Sequence, residues 1–394
     1  MKIWLLLFLG FAFADPQIYW LKNCTNTPTH VPVEIGGNLY LASNDKLSQL
    51  QNIKITNGDT SFQLDQLQNV NGIRISSYQL TIQVDLDQST ATNLTGFLYA
   101  TSAVQANDNN FYVTVVNGAH TLTRTDVVNS TTVVLNTQFY TDWPSFDVPQ
   151  KTTAVKEIQQ FGTTELNFHH EIPGSNYKSK IMNNFFENPL YYHDYDENNV
   201  PFTRRVFFPT VEPMQVNLPF WYITANGPYS MQLSNTFDAA QTHNTSTANV
   251  TGVFVLTDAW VPHYVNFSPD NSRAGTTGLV ITTQLEYNVN ILFISNQNSR
   301  STQSYGGGNP MTHGQVSTNM NAATMSITPT AVYAGTMYCQ YFVFTGDLLP
   351  TTSSIATTPT TTTTTTTVAT TTKSATCHNL FISILVLMFF KFSI

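Results

Sequence analysis

The amino-acid sequence predicts an all-β protein of two tandem β-sandwich domains, and three observations predict it. Apolar and polar residues alternate along several short segments, the period of a strand with one buried face. Asn, Gly and Pro interrupt those segments at short intervals, as the turns of a sandwich or barrel require. No long apolar stripe of helical period competes with them.

The clearest alternation sets Tyr78, Leu80, Ile82, Val84 and Leu86 against Gln79, Thr81, Gln83, Asp85 and Asp87. Phe111 to Val116 and His120 to Val128 flank Asn117-Gly118, the residue pair favoured in a two-residue hairpin turn. Thr132 to Phe139 alternates again, and Leu279, Ile281, Thr283, Leu285, Tyr287, Val289, Ile291 and Phe293 fall on one face of a long strand or bent strand pair.

The chain also repeats itself. Asn93-Leu94-Thr95-Gly96 followed by Thr101-Ser102-Ala103 aligns with Asn249-Val250-Thr251-Gly252 followed by Thr257-Asp258-Ala259. Upstream, Asn71-Gly72 and the Tyr78-Leu80 strand match Asn226-Gly227 and Ser230-Leu233; downstream, Val133-Phe139 matches Leu279-Leu285. Three matches in one order predict a first sandwich over 15–147 and a second over 205–347, joined by a connecting segment over 148–204.

Both ends carry targeting signals. Met1-Lys2, an apolar run and Ala12-Phe13-Ala14 read as a signal peptide over 1–14, because the run is far shorter than the roughly 20 residues of a membrane span. Residues 348–374 are dominated by threonine, with Thr360 to Thr367 unbroken. Such a segment cannot build a core and reads as an O-glycosylated stalk. Ser374-Ala375-Thr376 and the apolar tail Leu380 to Phe390 follow. Small residues before a hydrophobic end form a glycosylphosphatidylinositol signal, with Ser374 as the attachment site and 375–394 as the propeptide removed. The tail is too short for the ~30 Å of hydrocarbon that a spanning helix must cross. The expected location is the extracellular face of the plasma membrane, held to the outer leaflet by the lipid.

Charged residues make up 10% of the 394-residue chain, against about 25% in an ordinary domain, so polar amides, hydroxyls and sugar must supply solubility. The formal net charge of −8 without a basic cluster excludes nucleic acid, whose phosphates require Lys and Arg. N-x-Ser/Thr acceptors stand at Asn23, Asn93, Asn129, Asn244, Asn249 and Asn266, the pattern of a secreted glycoprotein. Asn266 is the poorest, since Pro269 follows its acceptor serine. Removing the tail discards Cys377 and leaves Cys24 and Cys339 in an oxidising compartment. That predicts a Cys24–Cys339 disulfide, which would contribute up to about 4–5 kcal/mol by closing so long a loop.

The order of signal peptide, β-sandwich repeat, threonine stalk and anchor tail resembles the nematode secreted CUB-like proteins. The resemblance implies a jelly-roll-like sandwich and a role at a gut or epidermal surface in defence. The chain departs from the family in lacking cysteines for the intradomain disulfides of ordinary CUB domains.

Catalytic patterns are missing from the sequence: there is no His-Glu-x-x-His helix and no Gly-x-Ser-x-Gly elbow, the signatures of a zinc site and an activated serine. Gly306-Gly307-Gly308-Asn309-Pro310 lacks the Lys-Ser/Thr of a phosphate loop and reads as a turn. His169-His170-Glu171 offers metal ligands, but neighbours on a strand face opposite ways. Asp194 to Asn199 carries hard oxygen ligands without the glycine and distal glutamate of a calcium loop. Neither is assigned a metal, and no cofactor is expected. Trp143, Trp221 and Trp260 are candidate stacking platforms for sugars or protein partners.

Three readings follow. The first is a non-catalytic binding ectodomain for an extracellular protein or carbohydrate. The second is a structural surface-coat glycoprotein, and the third a secreted enzyme whose residues meet only in the fold.

Overall fold

A computed structural model describes residues 15–68, 70–125, 128–137, 153–175, 184–195, 198–216, 218–235, 242–245, 249–257, 263–267, 276–285, 289–295, 300–305, 312–319, 324–329 and 335–344. The described chain is almost entirely β, with helical turns of at most five residues. The expected signal peptide, the stalk, Ser374 and the propeptide lie outside these residues.

Residues 17–100 form a sandwich of two four-stranded sheets. One sheet orders Gln17–Trp20, Phe97–Ala100, Asn38–Ala42 and Ile73–Arg74; the other orders Thr29–Pro32, Gln79–Val84, Ile53–Asn57 and Thr60–Gln63. The alternation read from the sequence packs them together: Leu80, Ile82 and Val84 meet Leu39, Leu41 and Leu98 in one buried cluster. Full burial of each such side chain is worth roughly 1.5–3 kcal/mol.

A second stack is larger. A five-stranded sheet orders Asn184–Asn188, Leu166–His170, Phe220–Ala225, Ser130–Asn136 and Phe111–Val116, the last pair parallel. It faces a nine-stranded sheet whose path runs His120–Arg124, Tyr229–Ser234, Thr153–Gln160, Met214–Val216, Val250–Thr257, Gly335–Phe344, Thr276–Leu285 and Thr312–Asn319, with Thr210–Val211 beside Val250–Thr257. Val134, Phe168 and Trp221 from the first sheet meet Val155, Met214 and Met231 from the second.

The two stacks share a further layer of core. The outward faces of the first sandwich, Tyr40, Phe97 and Tyr99, pack against Val113, Val133, Leu135 and Tyr222. The five-stranded sheet is therefore covered on both faces, and every residue of Ser130–Asn136 is buried.

Strand pairing apportions the chain differently from the expected 15–147, 148–204 and 205–347. His120–Arg124 pairs with Tyr229–Ser234, and Ser130–Asn136 pairs with Phe220–Ala225. Ladders thus run across positions 147 and 204. Alternation identifies a strand's buried face but not its partner, so long-range pairing of this kind leaves no mark in local pattern.

The Asn117-Gly118 turn is present, with Gly118 at φ 87°, where glycine carries no steric penalty. Its flanking strands do not form the expected hairpin. They part to different sheets, one pairing with Ser130–Asn136 and the other with Tyr229–Ser234. The three stretches of the sequence repeat likewise enter dissimilar ladders.

Two small sheets complete the fold. Leu190–Tyr195 and Pro201–Val206 make a two-stranded ribbon, and a five-stranded sheet orders Thr242–Thr245, His263–Phe267, Thr324–Pro329, Val289–Ser295 and Arg300–Tyr305.

The predicted Cys24–Cys339 bridge is not formed. Both cysteines are free and fully buried. Cys24 lies in the core of the N-terminal sandwich, while Cys339 is central in the nine-stranded sheet, in register with Phe254 and Ile281. The two thiols thus belong to different sheet stacks.

Candidate glycan acceptors and recognition surface

Four of the acceptor asparagines, Asn23, Asn93, Asn129 and Asn249, sit where the chain enters or leaves an element. Asn23 ends a 3-10 turn and is exposed, between the buried Leu21 and Cys24. Asn93 is exposed after the helical turn Gln88–Thr92, and its Nδ2 donates to the Ser89 carbonyl at 2.8 Å. That turn is capped by Asp87, which accepts from the Thr90 amide at 2.9 Å. Hydrogen bonds from the Ser89 and Thr90 hydroxyls, with that amide, hold the Asp87 carboxyl down at about 2.

Asn129 and Asn249 share a geometry. Both take a left-handed backbone, φ 57° and 63°, immediately before the strands Ser130–Asn136 and Val250–Thr257. Asparagine tolerates this region better than most residues. Asn129 is exposed and Asn249 half-buried. Asn244 and Asn266 stand opposite one another in the parallel pair Thr242–Thr245 and His263–Phe267.

The ribbon is the second notable feature. Its base is apolar, with Leu190 and Val206 buried against Phe208 and Phe342. Tyr191 and Phe202 remain 47% and 37% exposed, enough for a ring face to meet a partner. Glu165 fastens the ribbon, accepting from Arg205 Nη2 at 2.8 Å and from Tyr191 Oη at 3.3 Å. Glu187 accepts from the Tyr191 amide at 3.0 Å and from Asn184 Nδ2 at 3.1 Å. Burial pushes the Glu187 carboxyl above its ordinary range, against the pull of those two donors.

Sequence reasoning passed over Glu165, Glu187 and Arg205. The available signal was Glu187 itself, a charge inside Phe185-Phe186-Glu187-Asn188-Pro189-Leu190 with no opposite charge nearby in sequence.

The histidine pair divides as strand geometry requires. His169 stacks on Tyr222 with centroids 4.5 Å apart and shares a 2.8 Å hydrogen bond with Thr224. His170 turns to Tyr338 at 6.0 Å and is held down at about 4 by burial. Among the described residues, no three His, Cys, Asp or Glu side chains gather to hold a metal ion. Trp221 is fully buried beside Phe168 and Phe185 and offers no platform. Trp143, Trp260, the 306–310 turn and part of the acidic run lie outside the described residues.

A family model described as transmembrane glycoprotein matches residues 34–389. The chain belongs to that family. Membership accords with a glycoprotein at a membrane or cell surface, as the acceptor asparagines suggest. Among the described residues no helix is long and apolar enough to cross a membrane.

No curated protein matches the chain. Among solved structures, the CUB1-EGF-CUB2 region of human MASP-1/3 matches at 7% identity and TM-score 0.16, covering 56% of this chain and 99% of that one. An uncharacterized protein of Listeria monocytogenes matches at 9% identity and TM-score 0.20, and the cycloalternan-forming enzyme of that organism, in complex with a pentasaccharide substrate, at 9% and 0.19. Each of these two covers 84% of this chain, which spans 30% of theirs. At such scores the likeness to a CUB structure is weak, and the all-β assignment rests on the strands themselves. These three structures come from human and Listeria monocytogenes proteins and give no support to a nematode origin.

Proposed function

We propose that this chain is an N-glycosylated ectodomain, held at the outer face of the plasma membrane by a lipid on Ser374, that binds an extracellular protein or carbohydrate without catalysis. The observation that carries the reading is the placement of acceptors. Asn23, Asn93 and Asn129 are all exposed, in a chain of a membrane glycoprotein family. The exposed rings of Tyr191 and Phe202 on a braced ribbon supply a recognition surface, since aromatic anchors dominate binding energy at interfaces. Defence at an epithelial surface is the role suggested by the CUB-like resemblance.

A second reading of the attachment is a single-pass span, favoured by a family description that names a transmembrane protein and a match reaching residue 389. Phosphatidylinositol-specific phospholipase on intact cells separates the two. Release of a protein ending at Ser374, by C-terminal peptide mass, is expected; retention with Leu380 to Phe390 still attached would overturn the lipid anchor. Glycan and microbial-surface arrays then test binding, and silence on every array would favour the surface-coat alternative.

A further inference from the structure

We infer that Asn129 and Asn249 acquire their glycans only while the chain is unfolded, so that folding permanently closes these two acceptors. The inference rests on the reading that the acceptors are used. Transfer joins asparagine Nδ2 to the anomeric carbon of a lipid-linked oligosaccharide. The lipid pyrophosphate leaves with the bonding electron pair, and the amide gives up a proton. The transferase must also engage the Ser/Thr hydroxyl two residues on, which is why that residue defines the acceptor. The state of that hydroxyl therefore decides when transfer is possible.

In the folded protein the hydroxyls differ sharply. Thr25, which serves Asn23, is exposed and bonds the neighbouring Thr27, through its hydroxyl at 2.8 Å and its carbonyl at 3.2 Å. Thr95, which serves Asn93, is half-buried and donates to Asp45 Oδ1 at 2.9 Å. Thr131, which serves Asn129, is buried in a strand paired on one side to Phe111 and on the other to Thr224. Thr251, which serves Asn249, is fully buried; its Oγ1 donates to the Tyr341 carbonyl at 2.8 Å and accepts from Gln340 Nε2 at 3.0 Å. The middle residues Ser130 and Val250 are buried as well.

Presenting Thr25 needs a surface loop to move. Presenting Thr131 or Thr251 needs a core strand to leave its sheet, which happens about as rarely as global unfolding. The partners that lock Thr251 lie 89 and 90 residues downstream. At about 5–20 residues per second of synthesis, the Asn249 acceptor stays open for roughly 5–20 s before Gly335–Phe344 exists to close it. A chain that misses this interval keeps a bare Asn249, and occupancy there records a race between transfer and folding.

The test uses the full chain made without N-glycans and then folded, beside peptides spanning each acceptor. Both are incubated with purified oligosaccharyltransferase and lipid-linked oligosaccharide, and occupancy is read by glycopeptide mass spectrometry. Expected is transfer to all the peptides, transfer to Asn23 in the folded chain, and at least about 100-fold slower transfer to its Asn129 and Asn249, given how rarely core strands open. Folded-chain transfer to Asn129 or Asn249 at the peptide rate would overturn the inference and leave the glycoprotein reading standing. Failure of every peptide would instead remove the acceptor reading, and the inference with it. If the bare chain does not fold, pulse-labelling in cells decides the matter: glycan added to Asn249 well after chain release would refute it.

Discussion

Asn188 closes a ring of two hydrogen bonds on the backbone of Phe208: its Nδ2 donates to the Phe208 carbonyl and its Oδ1 accepts from the Phe208 amide, each at 2.9 Å. The side chain thus imitates a strand neighbour just where the ribbon departs and returns. Gln160 completes the arrangement, accepting from Asn188 Nδ2 at 2.6 Å and donating to the Asn188 carbonyl at 2.7 Å.

Asn188 is fully buried, so truncating it strands polar groups that water cannot reach. Each costs about 1–3 kcal/mol, and Asn188→Ala is expected to lower unfolding free energy by about 3–5 kcal/mol. Urea titration checks this. A loss near the ordinary surface value, within ~0.5 kcal/mol, would mean the ring contributes little.

The pH dependence near His170 has a definite sign. Burial lowers its folded pKa from 6.5 to about 4, so the unfolded chain binds the extra proton between those values. Stability contributed by the neutral ring is complete above the unfolded value and is lost as pH falls toward 4, by up to about 3 kcal/mol. The Glu171 carboxylate lies 3.5 Å from Nδ1 but is 60% exposed, and offsets little of this. Glu171 and Glu187, raised by burial, act in the opposite sense, since the folded state takes up their protons first. His170→Gln isolates the histidine: the stability difference between wild type and variant should shift against the wild type from pH 7 to pH 4. A difference independent of pH would contradict the assignment.

How much of this could be read beforehand depends on whether the cause is local. The Gln79–Val84 strand was legible because Leu80, Ile82 and Val84 alternate toward one core. Ser130–Asn136 was legible as a strand, yet its burial on both faces was not, because sheets stacked on both sides come from residues far away in sequence. The ribbon's fastening was invisible for the same reason, Glu165 and Arg205 being 40 residues apart. Of the acceptors, the asparagines were legible and the confinement of Thr251 by Gln340 was not. The cysteine pairing failed because composition and compartment speak to oxidation and say nothing of which core holds each thiol.

Those thiols give a direct measurement. Cys24 is raised to about 11 by burial, and Cys339 is raised further by the same cause. Only the thiolate reacts readily, so both should resist iodoacetamide in the native protein and react fully in denaturant without reductant. A reductant should leave Tm unchanged. Finding no free thiol in the denatured chain would restore the Cys24–Cys339 bridge.

The Asn-x-Thr-Gly repeat shares one physical requirement in both copies, which is the room its glycine leaves. A Cβ at Gly96 would stand 2.5 Å from Ser43 Cβ, and one at Gly252 would stand 2.3 Å from Tyr341 Oη. Both are far inside contact distance, and both neighbours are buried. Gly96 also presents its amide to Asp45 Oδ2 at 3.0 Å, which limits how far the backbone can withdraw. Gly96→Ala and Gly252→Ala should therefore each destabilise the fold by about 1–3 kcal/mol, the usual range for overpacking. Gly118 has nothing within 4 Å of a built Cβ, so its substitution meets only the cost of a positive φ, about 1 kcal/mol or so. Thermal melts of the three variants separate crowding from backbone conformation: the Gly252 change should be eased by Tyr341→Ala, which removes the ring it strikes, and the Gly118 change should not. If Tyr341→Ala leaves the Gly252→Ala penalty intact, the close approach is not its source.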